Sequence, residues 1–347
     1  MTTRSTGFGD VLSRYGLLTL AILLVGAFSL ALPDTFPTSL TARSILDNQS
    51  IVILLALAEM LVVIVGEFDL SVGYLAGLTH ILVIGLVVKS DLPWELAVLV
   101  VLLIGGLVGL LNGVLVHVFK IDSFIATLGT GTLAYAASNW YTQGQQVSGP
   151  LADGFKSIHG SALLDVPVSA FYVVGLASAL WLLLEYTAIG RYLYALGANR
   201  RAAELTGIPA RRYVIGAFVA SGVVVAAAGV LLASRLQIGT VSTGPDFLLP
   251  VFVGALLGST TIKPGRANAW GTVVAVLLLG IGIAGLQQLG GDYFIVPLFN
   301  GSTLIIGVGL AGYAARRVRR VRPVLAHGDA PTVGKPPSET RDSQPIS

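Results

Sequence analysis

The 347-residue chain is 54% hydrophobic and only 11% charged, which leaves too little polar surface to cover a soluble globule and makes lipid the solvent for most of it. Its formal charge of +3 comes from basic residues in short gaps between apolar runs and near the C-terminus, a pattern of membrane topology rather than of nucleic-acid binding. Cysteine is absent, which excludes disulfides, thiolate metal sites and cysteine nucleophiles.

Taken in chain order, nearly charge-free stretches run over 15–33, 48–66, 70–88, 96–116, 123–142, 166–184, 213–234, 247–262, 267–291 and 293–315. They predict an all-α polytopic membrane protein of about ten transmembrane helices, most near the roughly 20 residues that cross a hydrocarbon core. The eighth is short and the second carries Glu59. The first follows Arg4 and Arg14 as a secretory leader would, but it is long enough to span, and Pro33-Asp34 is no small-residue cleavage site. The expected organisation is a cytoplasmic N-terminus at 1–14, a transmembrane domain at 15–315 with a cytoplasmic segment at 189–211, and a basic, then disordered, cytoplasmic tail at 316–347.

Orientation follows from the basic residues. With the N-terminus inside, each outer gap holds one of Arg43, Lys89, Lys156 and Arg235. The inner gaps hold Lys120, Arg191, Arg200, Arg201, Arg211, Arg212, Lys263 and Arg266, and Arg316 to Arg322 follow the last span. This is the positive-inside distribution of a chain with both termini cytoplasmic. The longest outer loop runs from Gln143 to Val166.

Three motifs interrupt the spans. In Glu67-Phe68-Asp69-Leu70-Ser71-Val72-Gly73 one helix ends and another begins, and Asp69 or Ser71 is placed to accept from the orphan amides of the new helix; direct solute contact is the alternative. Glu59, inside the second span, either lines a polar cavity or is a neutral or paired group that joins helices, with His80 of the third span as a partner. Asn112 and Asn139 join this intramembrane polar set, and Gln287, Gln288 and Asn300 are further amides suited to interhelical bonds. The cytoplasmic run from Gly190 to Pro209 has Asn199 as an N-cap, a helical stretch through Arg200, Arg201 and Glu204, and a stop at Gly207 and Pro209. The third motif, Leu256 to Arg266, turns a short apolar segment into the ninth span. Paired with the first break, it suggests an inverted repeat with a solute path between the halves. No nucleotide-binding Gly-x-x-x-x-Gly-Lys-Ser/Thr loop is present.

Several spaced motifs, from about Ile45 to Tyr313, give a family resemblance. Glu67 to Gly73, Asn112-Gly113, Lys120 to Gly129, and Gly190 to Asn199 followed by Gly207-Ile208 resemble the permease subunits of monosaccharide-type (ribose- and xylose-like) ATP-binding-cassette importers. The chain departs from that pattern at Leu257 to Arg266, which has fewer glycines and a proline, and at Glu59, where many relatives are apolar.

The resemblance implies a type II-like importer permease in the bacterial inner membrane, acting as a homodimer or with a paralogous permease. Its implied partners are a cytoplasmic ATPase that holds ATP and magnesium, and an extracytoplasmic binding protein. It also implies that Gly190, Arg191, Gly197, Asn199, Arg200, Arg201, Glu204 and Gly207 form the segment that couples to the ATPase. The expected role is that of a transport subunit and not an enzyme, with no cofactor or metal of its own. An ion-coupled secondary transporter is the alternative, for which Glu59 would be the ion-binding candidate.

Overall fold

The computed structural model describes residues 8–292, 294–303 and 305, with side chains from 15 onward. Its helices are α1 (Phe8–Ala31), α2 (Ser39–Ile64), α3 (Val72–Ser90), α4 (Trp94–His117), α5 (Ser123–Thr142), α6 (Asp153–Gly160), α7 (Val168–Tyr186), α8 (Ala188–Ala198), α9 (Arg200–Leu205), α10 (Ala210–Leu236), α11 (Leu248–Gly258) and α12 (Ala269–Gln288). Two-residue strands β1 (Val147–Ser148) and β4 (Ile238–Gly239) pair antiparallel, as do β2 (Ala162–Leu163) and β3 (Val166–Pro167).

Among the described residues, seven segments rather than ten are both long and apolar enough to cross a membrane. The difference has identifiable causes. The apolar stretch Tyr15–Ala31 is shorter than a full span, although α1 starts at Phe8, inside the expected N-terminal tail. Helix α5 has the predicted bounds, but its serines and threonines dilute its hydropathy. The eighth span is counted among the seven, as Val241–Gly258, but it is composite: 3₁₀ turns at Val241–Thr243 and Pro245–Phe247 precede an α11 of 11 residues, only about 16 Å at 1.5 Å per residue. Most of the tenth span (293–315) and the tail at 316–347 lie outside the described residues.

Helix α2 is the axis of the bundle. It contains neither glycine nor proline, and every residue from Ser50 to Val62 is buried, as expected of a helix that is apolar on all sides. Helices α7, α10, α11 and α12 surround it. It begins at Ser39 rather than near 48, with Thr38 as cap. The charges that marked the expected boundary, Arg43 and Asp47, lie on the helix itself and pair with Asp165 and Arg235 respectively.

Lipid supplies no hydrophobic drive between helices, so close approach must come from small side chains. Helices α4 and α10 meet at Gly105, Gly109 and Gly222, where an added methyl on Gly222 would run into the Gly105 carbonyl. The charged residues sort to two ends. Lys120, Arg200, Glu204 and Arg211 lie within electrostatic reach of His117 at one end, the basic face. Arg43 of α2, Lys156 of α6 and Arg235 of α10 gather at the other, the loop face.

Candidate functional site

The break between α2 and α3 is built at the basic face. Gly66 takes φ +82, a conformation that favours glycine, and turns the chain out of α2. Asp69 then accepts through Oδ1 from the Ser71 backbone N–H at 2.9 Å and from the Ser71 hydroxyl at 2.5 Å. Ser71, at the N-cap of α3, makes no side-chain cap bond itself, so of the two candidates it is Asp69 that receives the amide.

The segment is fixed to its neighbours by side chains from three helices. Asn112 of α4 donates to Ser71 Oγ at 2.9 Å and more weakly to Asp69 Oδ1 at 3.4 Å, and accepts from the Thr130 hydroxyl of α5 at 2.6 Å. The Leu70 N–H donates to Thr127 Oγ1 at 2.9 Å, and the Phe68 N–H to Ser123 Oγ at 3.3 Å. Glu59 reaches down α2 to accept from the Asp69 N–H at 3.2 Å through Oε1, while its buried Oε2 has no hydrogen-bond partner among the described residues. The non-helical backbone from Phe68 to Ser71 is thus satisfied by protein groups rather than left to solvent.

The other intramembrane candidates lie elsewhere. His80 does not pair with Glu59: its Nε2 bonds the Ile238 carbonyl at 2.7 Å, tying α3 to β4. Asn139 is half-buried and donates to Tyr135 O on its own helix at 3.0 Å. The Leu256–Arg266 turn does not oppose the first break either. It sits at the same face, where Lys263 and Arg266 pair with Glu185 at 2.5 and 3.9 Å. The interruption that faces Gly66–Ser71 from the loop side is Gln237–Phe247, and the two come together where Gly73 and Gly77 of α3 contact Gly244.

Beside that second interruption lies a cavity of about 640 Å³ between α2, α11 and α12. Its polar lining is Thr41, Ser44, Asn48, Gln49, Asp246, Gln287, Gln288 and Asn300. Gln288 is held by the Thr41 hydroxyl, to which it donates at 3.0 Å, whereas the Asn300 carbonyl oxygen is buried without a partner among the described residues. Among the described residues Asp246 is the one ionisable lining group, so the described wall offers mostly neutral donors and acceptors. Glu59, His80, Asn112 and Asn139 do not line it. Among the described residues no group of three or more acids or histidines could hold a metal ion.

At the basic face, α9 forms with Asn199 as its cap, accepting from the Ala202 N–H at 3.0 Å. Gly207 follows at φ +87. Gly190 and Gly197 bring α8 against the Leu184 and Ile64 backbones, where a Cβ would not fit. The Arg200 guanidinium bonds Glu67 Oε1 at 2.8 Å and the Val65 carbonyl at 3.2 Å. Arg191, Arg201 and Glu204 are exposed on the same face.

Sequence reading missed Ser44, Asn48, Gln49 and Asp246 in the cavity wall, and Asn268. The Asn268 side chain donates to the carbonyls of Gly258, Thr261 and Arg266, each at 3.1 Å, and accepts from the Gly271 N–H at 2.8 Å, closing the third motif. An asparagine directly before an apolar run was the available signal.

Interrupted helices, internally satisfied breaks and an amide-lined cavity within a bundle of membrane-crossing helices define a multi-pass membrane permease. Residues 42–310 match the family described as "Branched-chain amino acid transport system / permease component", and the chain belongs to it. It is 33% identical to the ribose import permease of Haemophilus influenzae, over 75% of this chain and 80% of that one. It is 32% identical to the ribose import permease of Bacillus subtilis (87% and 93% covered) and 27% identical to the D-allose transport system permease of Escherichia coli (86% and 91%). No solved structure matches it. The chain is accordingly a transport subunit of the monosaccharide type of ATP-binding-cassette importer permease, the class its motifs resemble.

Proposed function

We propose that this permease passes a monosaccharide or a sugar-like neutral polyol through the cavity between α2, α11 and α12. The observation that carries the reading is the composition of that cavity. It presents neutral amides and hydroxyls in a volume of about 640 Å³, within the roughly 300–1,000 Å³ of small-molecule sites. Amides that both donate and accept suit a ring of hydroxyls, and a strongly charged solute would find no matching cluster of opposite charge. The family description names a different solute from the ribose and allose of the relatives, so membership alone does not select the sugar.

In this reading the protein sits in a bacterial inner membrane with its basic face and both termini in the cytoplasm. It works as a dimer or beside a paralogous permease. The helix α9 docks a cytoplasmic ATPase, which supplies ATP and magnesium, and the loop face receives a binding protein. Nucleotide-driven closure of the ATPases would shift the bundle between outward- and inward-open populations. The ion-coupled alternative has less support, because Glu59 holds the Asp69 amide and not the cavity wall.

The test is uptake of radiolabelled ribose and allose by vesicles containing the permease, with and without its genomically adjacent ATPase and binding protein. Uptake that requires the ATPase is expected. Uptake that proceeds equally well without it, driven by an imposed ion gradient, would overturn the proposal.

A further inference from the structure

We infer that the Glu67–Arg200 ion pair is the strut through which movement of α9 reaches the wall of the cavity, with α2 as the connecting rod. This deepens the importer reading and rests on it.

The rod is continuous. Helix α2 has 26 residues, about 39 Å at 1.5 Å per residue. It has no glycine or proline to absorb a bend and is buried along its middle. Its loop-face half, from Leu40 to Val52, forms one wall of the cavity.

The joint at the other end is equally specific. Arg200 is the first residue of α9. Its guanidinium takes Glu67 Oε1 at 2.8 Å and the carbonyl of Val65, the C-cap of α2, at 3.2 Å. A cation on the last carbonyls of a helix satisfies groups that otherwise lack a partner. Beside this bond Gly197 lies so close to the Ile64 carbonyl that a side chain there would collide. Helix α9 therefore cannot move along the membrane normal without pressing on or pulling the end of α2. Beyond Glu67, the Asp69–Ser71–Asn112 network anchors the chain to α4, so the strut is the point where the push enters a braced element.

The experiment exploits the absence of native cysteine. Ser44→Cys and Gln287→Cys, both in the cavity wall, carry spin labels in a nanodisc-held complex with the adjacent ATPase. Their separation is measured by electron paramagnetic resonance with and without ATP and vanadate. In the parent protein the separation is expected to change by about 2 Å or more on trapping, the scale of helix shifts in switching bundles. Glu67→Gln should abolish that change while ATP hydrolysis remains measurable, and the exchange Glu67→Arg with Arg200→Glu should restore part of it. Arg200→Gln cuts the same bond and serves if Glu67→Gln does not insert. A change that persists in both single variants, or a parent complex that hydrolyses ATP with no change, overturns the strut and leaves the importer reading intact. Failure of any ATPase to associate overturns the importer reading and the strut with it.

Discussion

Asn112 of α4 and Ser71 at the head of α3 are joined by a 2.9 Å hydrogen bond between side chains with no exposed surface. The same amide accepts from Thr130 at 2.6 Å, so one residue satisfies groups on two other helices. Asn112→Ala should therefore destabilise the protein by about 2 kcal/mol, the cost of leaving buried polar groups unpaired. Asn112→Asp is nearly isosteric, yet it replaces the donor facing Asp69 with a second carboxyl and should cost more. Unfolding in mixed micelles by titration with dodecyl sulfate ranks the two. An aspartate variant as stable as the parent would remove the network from the forces that hold the break.

The α4–α10 seam makes a second prediction. Gly222→Ala drives a methyl into the Gly105 carbonyl and should cost about 1–3 kcal/mol, as overpacking does. Gly216→Ala on the same helix meets nothing within 4 Å and should be neutral or gain up to about 1 kcal/mol from helix propensity. The same micelle titration compares them, and equal effects would show that the seam tolerates separation.

What the sequence made legible was local. Asn199 caps α9 within three residues of itself, and the glycine at 66 marks a turn that only its own φ requires. The Glu59–His80 pairing failed because the partner of His80 is a carbonyl 158 residues away. The cavity was illegible for a related reason. Its amides come from two regions far apart in the chain, Asn48 and Gln49 on one side and Gln287, Gln288 and Asn300 on the other, and an isolated Gln or Asn in an apolar helix reads the same whether it bonds a neighbour or faces a void. Charge used as a boundary marker shortened α2, because Arg43 and Asp47 are accommodated on the helix by partners distant in sequence, Asp165 in a loop and Arg235 of α10.

Gln287 lines the cavity. If the cavity passes a polyol, Gln287→Leu keeps the volume but removes a donor and an acceptor. Half-saturation of uptake should then need about tenfold more solute, the equivalent of one lost hydrogen bond to a buried partner. Concentration-dependent uptake in the reconstituted importer measures it, and an unchanged half-saturation would place the solute elsewhere.

The loop face carries a pH dependence. His159, at the end of α6 and 6% exposed, has Nε2 3.3 Å from Asp47 Oδ1 but off the line of a hydrogen bond. Its backbone N–H donates to Ser234 Oγ of α10 at 3.0 Å. Burial lowers its pKa below the ordinary value; Asp47 works against that shift and Arg235 adds to it. A lowered folded pKa means that the unfolded or undocked state binds more protons, so the contribution to stability is complete above an unfolded value of about 6.5 and is lost as pH falls through the folded one. Docking of α6 onto α2 and α10 should therefore loosen on acidification. After correction for intrinsic rates, amide exchange at Phe155 to His159 is expected to be faster near about pH 5 than near about pH 7.5. His159→Gln, which cannot take up the proton, should flatten the difference. Equal protection at both pH values in the parent, or a pH dependence that survives in the glutamine variant, would mean that His159 does not govern the docking of α6.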